Sequence, residues 1–176
     1  MTESTLLPEL IALTAGRTPK AIALTSGDSK LNYGEMSAKV DQFSSGLMHL
    51  GIARGERVAI YLEKRFESVI ASFGAPAAGA VFVPVNPLLK PDQVAFILRD
   101  CNVRVLVTSP ERLALMKDVL AECHDLRHVV VTDPVAHAGQ ADLAVTGYVH
   151  GPLALISWGD LLSSPVRLGH RVIDTD

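Results

Sequence analysis

Short runs rich in β-branched residues recur along the middle of the chain at intervals of about two dozen residues. They begin at Arg57 (RVAIYL), Val81 (VFVPV), Arg104 (RVLVT) and His128 (HVVVT), and a helical pattern follows each of the first three. Strands that are apolar without alternation need both faces covered, which is typical of parallel sheets between two layers of helices. The sequence therefore predicts an α/β fold with a doubly wound, mostly parallel sheet that binds ligands at the carboxyl ends of its strands.

The length of 176 residues fits a single α/β domain over residues 1–176, with residues 133–176 less regular. Hydrophobic residues make up 48% of the chain even before its 13 glycines are added. With glycine included, the apolar share exceeds the usual one of about 45–50%. A sheet buried on both faces explains this excess, and so does an interface left open by a missing neighbour. The second explanation leads us to expect a homo-oligomer.

Charge and motif spacing exclude several classes of partner. A net charge of −3 with scattered Lys and Arg argues against nucleic acid. Cys101 and Cys123 lack metal-ligand spacing and are expected to be partly buried thiols in a reducing compartment. The histidines do not cluster either, and a surface or capping role is expected for each: His49, His124, His128, His137, His150 and His170.

The N-terminal segment carries Glu3 and Glu9, without a basic leader or a long apolar run. Neither a signal peptide nor a transmembrane segment is expected, and the cytoplasm is the simplest location. Leu6, Leu10 and Leu13 recur at helical spacing and predict a first helix. Residues 21–32, with a turn at Gly27 and Asp28, predict a small β-hairpin.

Capping signals predict where the helices begin and end. Asn32 lies three residues before Glu35, which is the reciprocal capping box, so a helix begins at Tyr33 and Gly51 ends it. Its apolar stripe is Met36, Val40, Phe43 and Leu47. Further large side chains are assigned to the core: Phe73, Phe96 and Met116.

Prolines mark further boundaries. Pro76 predicts a kink or an early stop in the helix that begins near Phe66, and Pro84 predicts a strand end. Pro91 and Pro110 open two more helices, the second capped by Ser109. Residues 133–151 are predicted to form a loop, residues 153–158 a short strand, and residues 158–162 a helical turn.

The common catalytic signatures are missing from the sequence. It contains no G-x-G-x-x-G after a strand, no G-x-x-x-x-G-K-[ST], no H-E-x-x-H and no G-x-S-x-G. Composition and periodicity alone therefore indicate only a soluble α/β domain.

Two blocks resemble the N-terminal region of AMP-forming acyl-CoA synthetases, a superfamily that also includes luciferases and nonribosomal peptide adenylation domains. LNYGEM (Leu31 to Met36) is similar to the box L-[TS]-Y-x-E-L, and AGAVFVPVNP (Ala78 to Pro87) is similar to A-G-A-x-[FY]-V-P-[LV]-[ND]-P. The likeness covers about residues 6 to 135 and continues more loosely to Trp158. The segment PVNPLLKPDQ also resembles the corresponding segment of ligases associated with exosortase and exopolysaccharide loci.

The resemblance implies a reaction in which a carboxylate and ATP give an acyl-adenylate and pyrophosphate, and coenzyme A then displaces AMP. ATP, Mg²⁺ and coenzyme A are the implied cofactors. The family's Ser/Thr/Gly-rich phosphate loop ending in P-K-G, its ribose-binding aspartate and its C-terminal catalytic lysine do not occur in these 176 residues. We therefore expect an N-terminal portion that is inactive alone, has no catalytic residue of its own, and has the remainder of the enzyme as its partner.

The resemblance also implies candidate binding residues. Asn86, Pro87 and Lys90 follow the second β-branched run, and in coenzyme A ligases the corresponding loop lies near the channel of the thiol donor. Arg112 follows the third run and is a candidate for contact with a coenzyme A phosphate. Arg65 and Glu67 are assigned to a helix surface.

Two alternatives remain open from the sequence. One is a non-catalytic α/β binding or scaffold module that keeps the fold without the chemistry. The other is an unrelated flavodoxin-like domain that binds a phosphorylated small molecule, although no strand is followed by a glycine-rich or serine-rich phosphate turn. The acyl substrate, and the choice between coenzyme A and a carrier protein as acceptor, are left undetermined.

Overall fold

A computed structural model describes residues 6–132 and 153–166 of the chain. The elements in chain order are α1 (Leu7–Arg17), β1 (Ile22–Ser26), β2 (Ser29–Asn32), α2 (Tyr33–His49), β3 (Arg57–Tyr61), α3 (Phe66–Ala77), β4 (Val81–Pro84), α4 (Pro91–Asp100), β5 (Val103–Thr108), α5 (Pro110–Leu120), β6 (His128–Val131), β7 (Ala154–Ser157) and α6 (Trp158–Leu162). The strand and helical turn predicted over residues 153–162 are confirmed. The loop predicted over residues 133–151 lies outside the described residues.

The sheet has five strands in the order β4-β3-β5-β6-β7, and every neighbouring pair is parallel. The chain first winds outward from β3 to β4 and then crosses back to β5, so the direction of winding reverses between β3 and β5. Strands β1 and β2 form the predicted antiparallel hairpin. The doubly wound parallel α/β class is therefore confirmed.

Alternate residues of the same strand enter two different apolar clusters. Val58 and Ile60 of β3 point into one cluster, with side chains from α1, α2, α3 and α6, whereas Ala59 and Tyr61 point into a second, with side chains from α4 and α5. Both sets are at most 5% exposed. Because both faces of the strand are covered, the sequence of β3 is continuously apolar and does not alternate.

Local capping determines the helix boundaries. At the start of α2, Glu35 N donates to Asn32 Oδ1 at 2.9 Å and Asn32 N donates to Glu35 Oε2 at 2.9 Å, as the capping box predicts. Gly51 follows the helix with a φ of 78°, the left-handed conformation that glycine adopts without strain. Helix α3 ends one residue after Pro76, and Pro84 is the last residue of the edge strand β4.

Two expectations about the helix faces need correction. Phe96 was predicted to pack in the core but is 60% exposed, because α4 turns Val94 and Leu98 inward instead. In α1 the buried residue is Ile11, while Leu10 of the predicted stripe is 50% exposed. The other large core residues predicted from the sequence are buried or half-buried: Met36, Phe43, Phe73 and Met116.

Candidate functional site

The carboxyl ends of β3 and β5 lie side by side at the point where the winding reverses. Ligands of wound α/β sheets bind at such switch points. Tyr61 ends β3 and Thr108 ends β5, and the buried Thr108 Oγ1 donates to the carbonyl oxygen of Tyr61 at 3.1 Å. This side-chain bond ties together the two strand ends that frame the candidate site.

Arg112 extends across this edge from the first turn of α5. The turn begins at Ser109, whose Oγ accepts a hydrogen bond from Arg112 N at 3.4 Å. The Arg112 guanidinium donates through Nη1 to the carbonyl oxygen of Pro87 at 2.6 Å and pairs through Nη2 with the carboxylate of Glu63. Its Cζ lies 4.6 Å from the centroid of the Tyr61 ring, within the range of a cation–π contact.

The loop from Asn86 to Lys90, here called loop 86–90, is held from several sides. Asn86 Oδ1 accepts from Leu88 N at 2.9 Å, and Leu89 N donates to the carbonyl oxygen of Asn86 at 3.1 Å. Tyr61 Oη donates to the carbonyl oxygen of Leu89 at 3.0 Å. Lys90 is the N-cap residue of α4, where its backbone N–H donates to Gln93 Oε1 at 3.0 Å, and its side chain is exposed.

The structure brings together three of the four candidate residues, Asn86, Pro87 and Arg112, while Lys90 extends into solvent at the end of the same loop. Sequence reasoning missed Tyr61 and Glu63, which are the partners of Arg112. A signal for each was present, since Tyr61 is the aromatic residue at the end of an aliphatic run and Glu63 follows that run directly.

The electrostatics of the edge follow from this pairing. The hydrogen bond from Arg112 holds the pKa of the Glu63 carboxyl below its usual value. Burial is the largest influence on Arg112, whose side chain is 14% exposed, and it opposes the charge, but the interactions with Glu63 and Tyr61 together outweigh it and raise the pKa of the guanidinium. The pair is therefore charged on both sides, and the carboxylate neutralises the cation at the strand ends.

A separate cavity of about 280 Å³ lies between the hairpin and the N-terminus of α3. It is lined by Leu24, Thr25, Ser26, Lys64, Arg65, Phe66, Ser68 and Val69. Arg65 Nε pairs with Glu67 Oε2 at 2.9 Å, so these two residues form a surface ion pair on α3. Ser68 Oγ accepts from Arg65 N at 3.3 Å and caps the helix start.

The strand-to-helix turns described here do not fit the triphosphate of ATP. The turns after β3 and β5 already use serine hydroxyls as caps, and the guanidinium beside them is neutralised by Glu63. The ammonium of Lys90 is exposed, and it forms no ion pair with a carboxylate among the described residues.

The cysteines and histidines are the remaining polar side chains that were considered as candidates. Across residues 6–132 and 153–166, no group of three or more His, Cys, Asp or Glu side chains is arranged to hold a metal ion. Burial raises the pKa of the Cys123 thiol to about 11, and Cys101 is half-buried. His49 Nδ1 lies 2.8 Å from the carbonyl oxygen of Ser45. Three histidines lie outside the described residues: His137, His150 and His170.

No helix in the described parts of the chain has the length and apolar character needed to cross a bilayer.

A protein family and several known proteins are similar to this chain. The family model described as AMP-binding enzyme matches residues 11–151. The long-chain-fatty-acid–CoA ligase of Thermus thermophilus is 32% identical over 132 residues, covering 74% of this chain and 24% of that protein. Phosphinothricin tripeptide synthetase PhsB of Streptomyces viridochromogenes is 30% identical over 151 residues, covering 85% of this chain and 12% of that protein.

Solved structures agree with the sequence comparisons. The anthranilate CoA ligase AuaEII, solved in complex with anthranoyl-AMP, has a TM-score of 0.79 and 26% identity over 93% of this chain and 29% of its own. Coronafacic acid ligase from Pectobacterium brasiliense shares the fold with a TM-score of 0.82 at 18% identity, over 96% of this chain and 31% of its own. The chain thus spans less than a third of these relatives, and the match over residues 11–151 shows that it belongs to the AMP-binding enzyme family.

Proposed function

We propose that this chain forms the N-terminal subdomain of an ATP-dependent, AMP-forming acyl-CoA ligase. The enzyme joins a carboxylate to the α-phosphate of ATP, which releases pyrophosphate, and the thiol of coenzyme A then attacks the acyl carbon and releases AMP. The observation that carries the proposal is the family match across residues 11–151, which includes strands β3 to β6. The likeness to anthranilate CoA ligase supports coenzyme A as the acceptor.

In this proposal the chain supplies the acceptor side of the site. Loop 86–90 lies at the carboxyl edge of the sheet, and the exposed Lys90 ammonium is available to a phosphate of coenzyme A. When bound, ATP with Mg²⁺ would supply the electrophilic phosphorus, and its ligands come from residues outside those described here. A cytoplasmic location, a role in fatty acid metabolism and self-association belong to the same proposal.

A carrier protein is the second candidate for the thiol acceptor. The observation that favours it is the similarity to PhsB, a tripeptide synthetase, over 85% of this chain. Both acceptors present a thiol on a phosphopantetheine arm, so their reactions differ in what is attached beyond the phosphate. An assay of the whole enzyme with free coenzyme A as the only thiol separates the two candidates, because only a coenzyme A ligase would form an acyl-CoA product.

The test uses the gene and two proteins. Sequencing downstream of the Asp176 codon is expected to give an in-frame Ser/Thr/Gly-rich loop that ends in lysine. The protein from the whole reading frame should then exchange labelled pyrophosphate into ATP when a carboxylate is supplied, and the 176-residue chain alone should release no pyrophosphate. A stop codon at this point favours the non-catalytic module, and pyrophosphate release by the chain alone contradicts our assignment of the phosphate machinery to other residues.

A further inference from the structure

We propose that Arg112 and Tyr61 are positioning residues that hold loop 86–90 in the conformation that receives the thiol acceptor, and that Arg112 does not itself bind the acceptor's phosphate. The inference rests on the proposed function for the identity of the acceptor. Its mechanical part, that these two side chains hold the loop, depends only on the geometry of this chain.

The first step concerns the donors of Arg112. One terminal nitrogen is bonded to the carbonyl oxygen of Pro87 at 2.6 Å and the other pairs with the carboxylate of Glu63. Its Nε is buried without a hydrogen-bond partner among the described residues, and its side chain is only 14% exposed. A phosphate in solvent would have to compete with the Glu63 carboxylate for a guanidinium that is itself mostly buried. Arg112 is therefore poorly placed to bind a phosphate of the acceptor and well placed to connect the start of α5 to loop 86–90.

The second step concerns the loop itself. The carbonyl of Pro87 is held by Arg112 and the carbonyl of Leu89 by Tyr61 Oη at 3.0 Å, so two carbonyls on either side of Leu88 are fixed from outside the loop. The two anchoring side chains also contact each other, since the Arg112 Cζ lies 4.6 Å from the Tyr61 ring centroid. The loop, the end of β3 and the start of α5 thus form one connected unit.

The third step concerns what the fixed loop presents. Leu88 is 88% exposed although the backbone on both sides of it is hydrogen-bonded, and Lys90 is exposed at the end of the loop. Because the loop backbone is already fixed, Leu88 can contact the pantetheine arm of the acceptor and Lys90 can contact its phosphate. Binding then carries little entropic cost for ordering the loop. Loosening the loop should therefore weaken binding of the acceptor while leaving adenylation unchanged.

The mechanical test measures amide hydrogen exchange on the 176-residue chain. Arg112→Met and Tyr61→Phe should each speed exchange in loop 86–90 about tenfold, since each removes one external bond of the loop. Exchange in β5 should stay as in the wild type. Arg99→Met is the matched control, because it removes another arginine–carboxylate pair, with Glu122, at the far end of α4. Unchanged loop exchange in both variants, or equal acceleration across the sheet, overturns the proposal.

The functional test uses the enzyme from the whole reading frame and two acceptors, coenzyme A and pantetheine, which lacks the phosphates. Arg112→Met should raise KM for both, by about tenfold for coenzyme A and by a smaller factor for pantetheine, because the loosened loop carries both Leu88 and Lys90 and pantetheine has no phosphate for Lys90 to contact. Pyrophosphate exchange should be unchanged, and Arg112→Lys should recover in part, because lysine keeps one donor but loses the planar fork. A rise for coenzyme A alone indicates direct phosphate binding and overturns the proposal, as does a loss of pyrophosphate exchange. If the wild-type enzyme shows no exchange at all, the proposed function fails while the hydrogen-exchange result still decides the mechanical part.

Discussion

His128 is a half-buried titratable side chain that the proposed chemistry does not use. It begins β6 with its imidazole half-buried, and its Nδ1 has no hydrogen-bond partner among the described residues. Burial lowers the pKa of this histidine below its usual 6.5, and a hydrogen bond with the backbone of Leu50 opposes the shift only in part. The folded protein therefore binds a proton at this site less readily than the unfolded chain does.

This shift predicts how stability depends on pH. The unfolded state takes up the proton first as the pH falls, so the stabilisation is complete above 6.5, the usual pKa, and is lost as the pH falls from there towards the lower folded pKa. Urea unfolding at a series of pH values from about 8 to 5 should show a declining free energy of unfolding, with His128→Gln flattening the decline over this window. His124→Gln, at an exposed histidine, is the control and should retain it. If the free energy of unfolding of His128→Gln declines with falling pH as steeply as that of the wild type, His128 is not the source of the pH dependence.

At the scale of elements, Gly46 determines how closely α6 packs on α2. A Cβ added at Gly46 would lie 2.6 Å from both the backbone oxygen and the Cγ of Leu161. Because a backbone atom is involved, rotation of a side chain alone cannot relieve the contact. The short helix α6 therefore packs against α2 only because position 46 has no side chain.

The contact predicts that Gly46→Ala destabilises the protein although alanine is the better helix former. We expect a loss of about 1–3 kcal/mol in the free energy of unfolding, the usual cost of overpacking. Gly16→Ala in α1 is the matched control, since nothing lies within 4 Å of its added Cβ, and it should be neutral or stabilising by up to about 1 kcal/mol. Urea denaturation of both variants provides the measurement. Equal stability of the two variants would show that α6 moves away without cost.

Elements with a local signal were predictable from the sequence. The capping box at Asn32 and the Ser109-Pro110 start of α5 lie within a few residues of the structure that they specify, and both are confirmed. The inward face of α4 was less determined, because Ala95 and Phe96 are adjacent and hydropathy alone favours burial of the larger side chain. The structure instead buries Ala95 and leaves Phe96 exposed.

The candidate site was only partly predictable because its contacts are not local. The bond from Arg112 to Pro87 spans 25 residues and that to Glu63 spans 49. The principle that ligands bind at carboxyl strand ends indicated the correct edge of the sheet, since it depends only on strand direction. It did not indicate that the guanidinium pairs internally, because that pairing depends on the strand order β4-β3-β5, which short sequence motifs do not encode.

At the scale of the whole molecule, the two apolar clusters share one sheet. Residues of β3 alternate between them, with Ile60 on one side and Tyr61 on the other, and β5 divides in the same way. Losing the packing on one face therefore removes support from strands that also hold the opposite face. We expect the described layers to unfold as one cooperative unit.

The single tryptophan allows this coupling to be measured. Trp158 packs in the first cluster against Phe43, with ring centroids 5.2 Å apart, whereas Leu113 is fully buried in the second cluster on the opposite face. Leu113→Ala should lower stability by about 2–5 kcal/mol, as for other buried leucines. The Trp158 fluorescence midpoint should fall together with the circular dichroism midpoint, although the substitution lies across the sheet from the fluorophore.

Leu115→Ala gives the matched control on the same helix, because Leu115 is 65% exposed and its truncation leaves no internal cavity. Its two midpoints should stay close to those of the wild type. A Leu113→Ala protein in which the circular dichroism midpoint falls while the Trp158 midpoint does not would mean that the two faces unfold separately. In that case the shared strands do not couple the clusters, and a ligand bound at the carboxyl edge would stabilise only the face that it contacts.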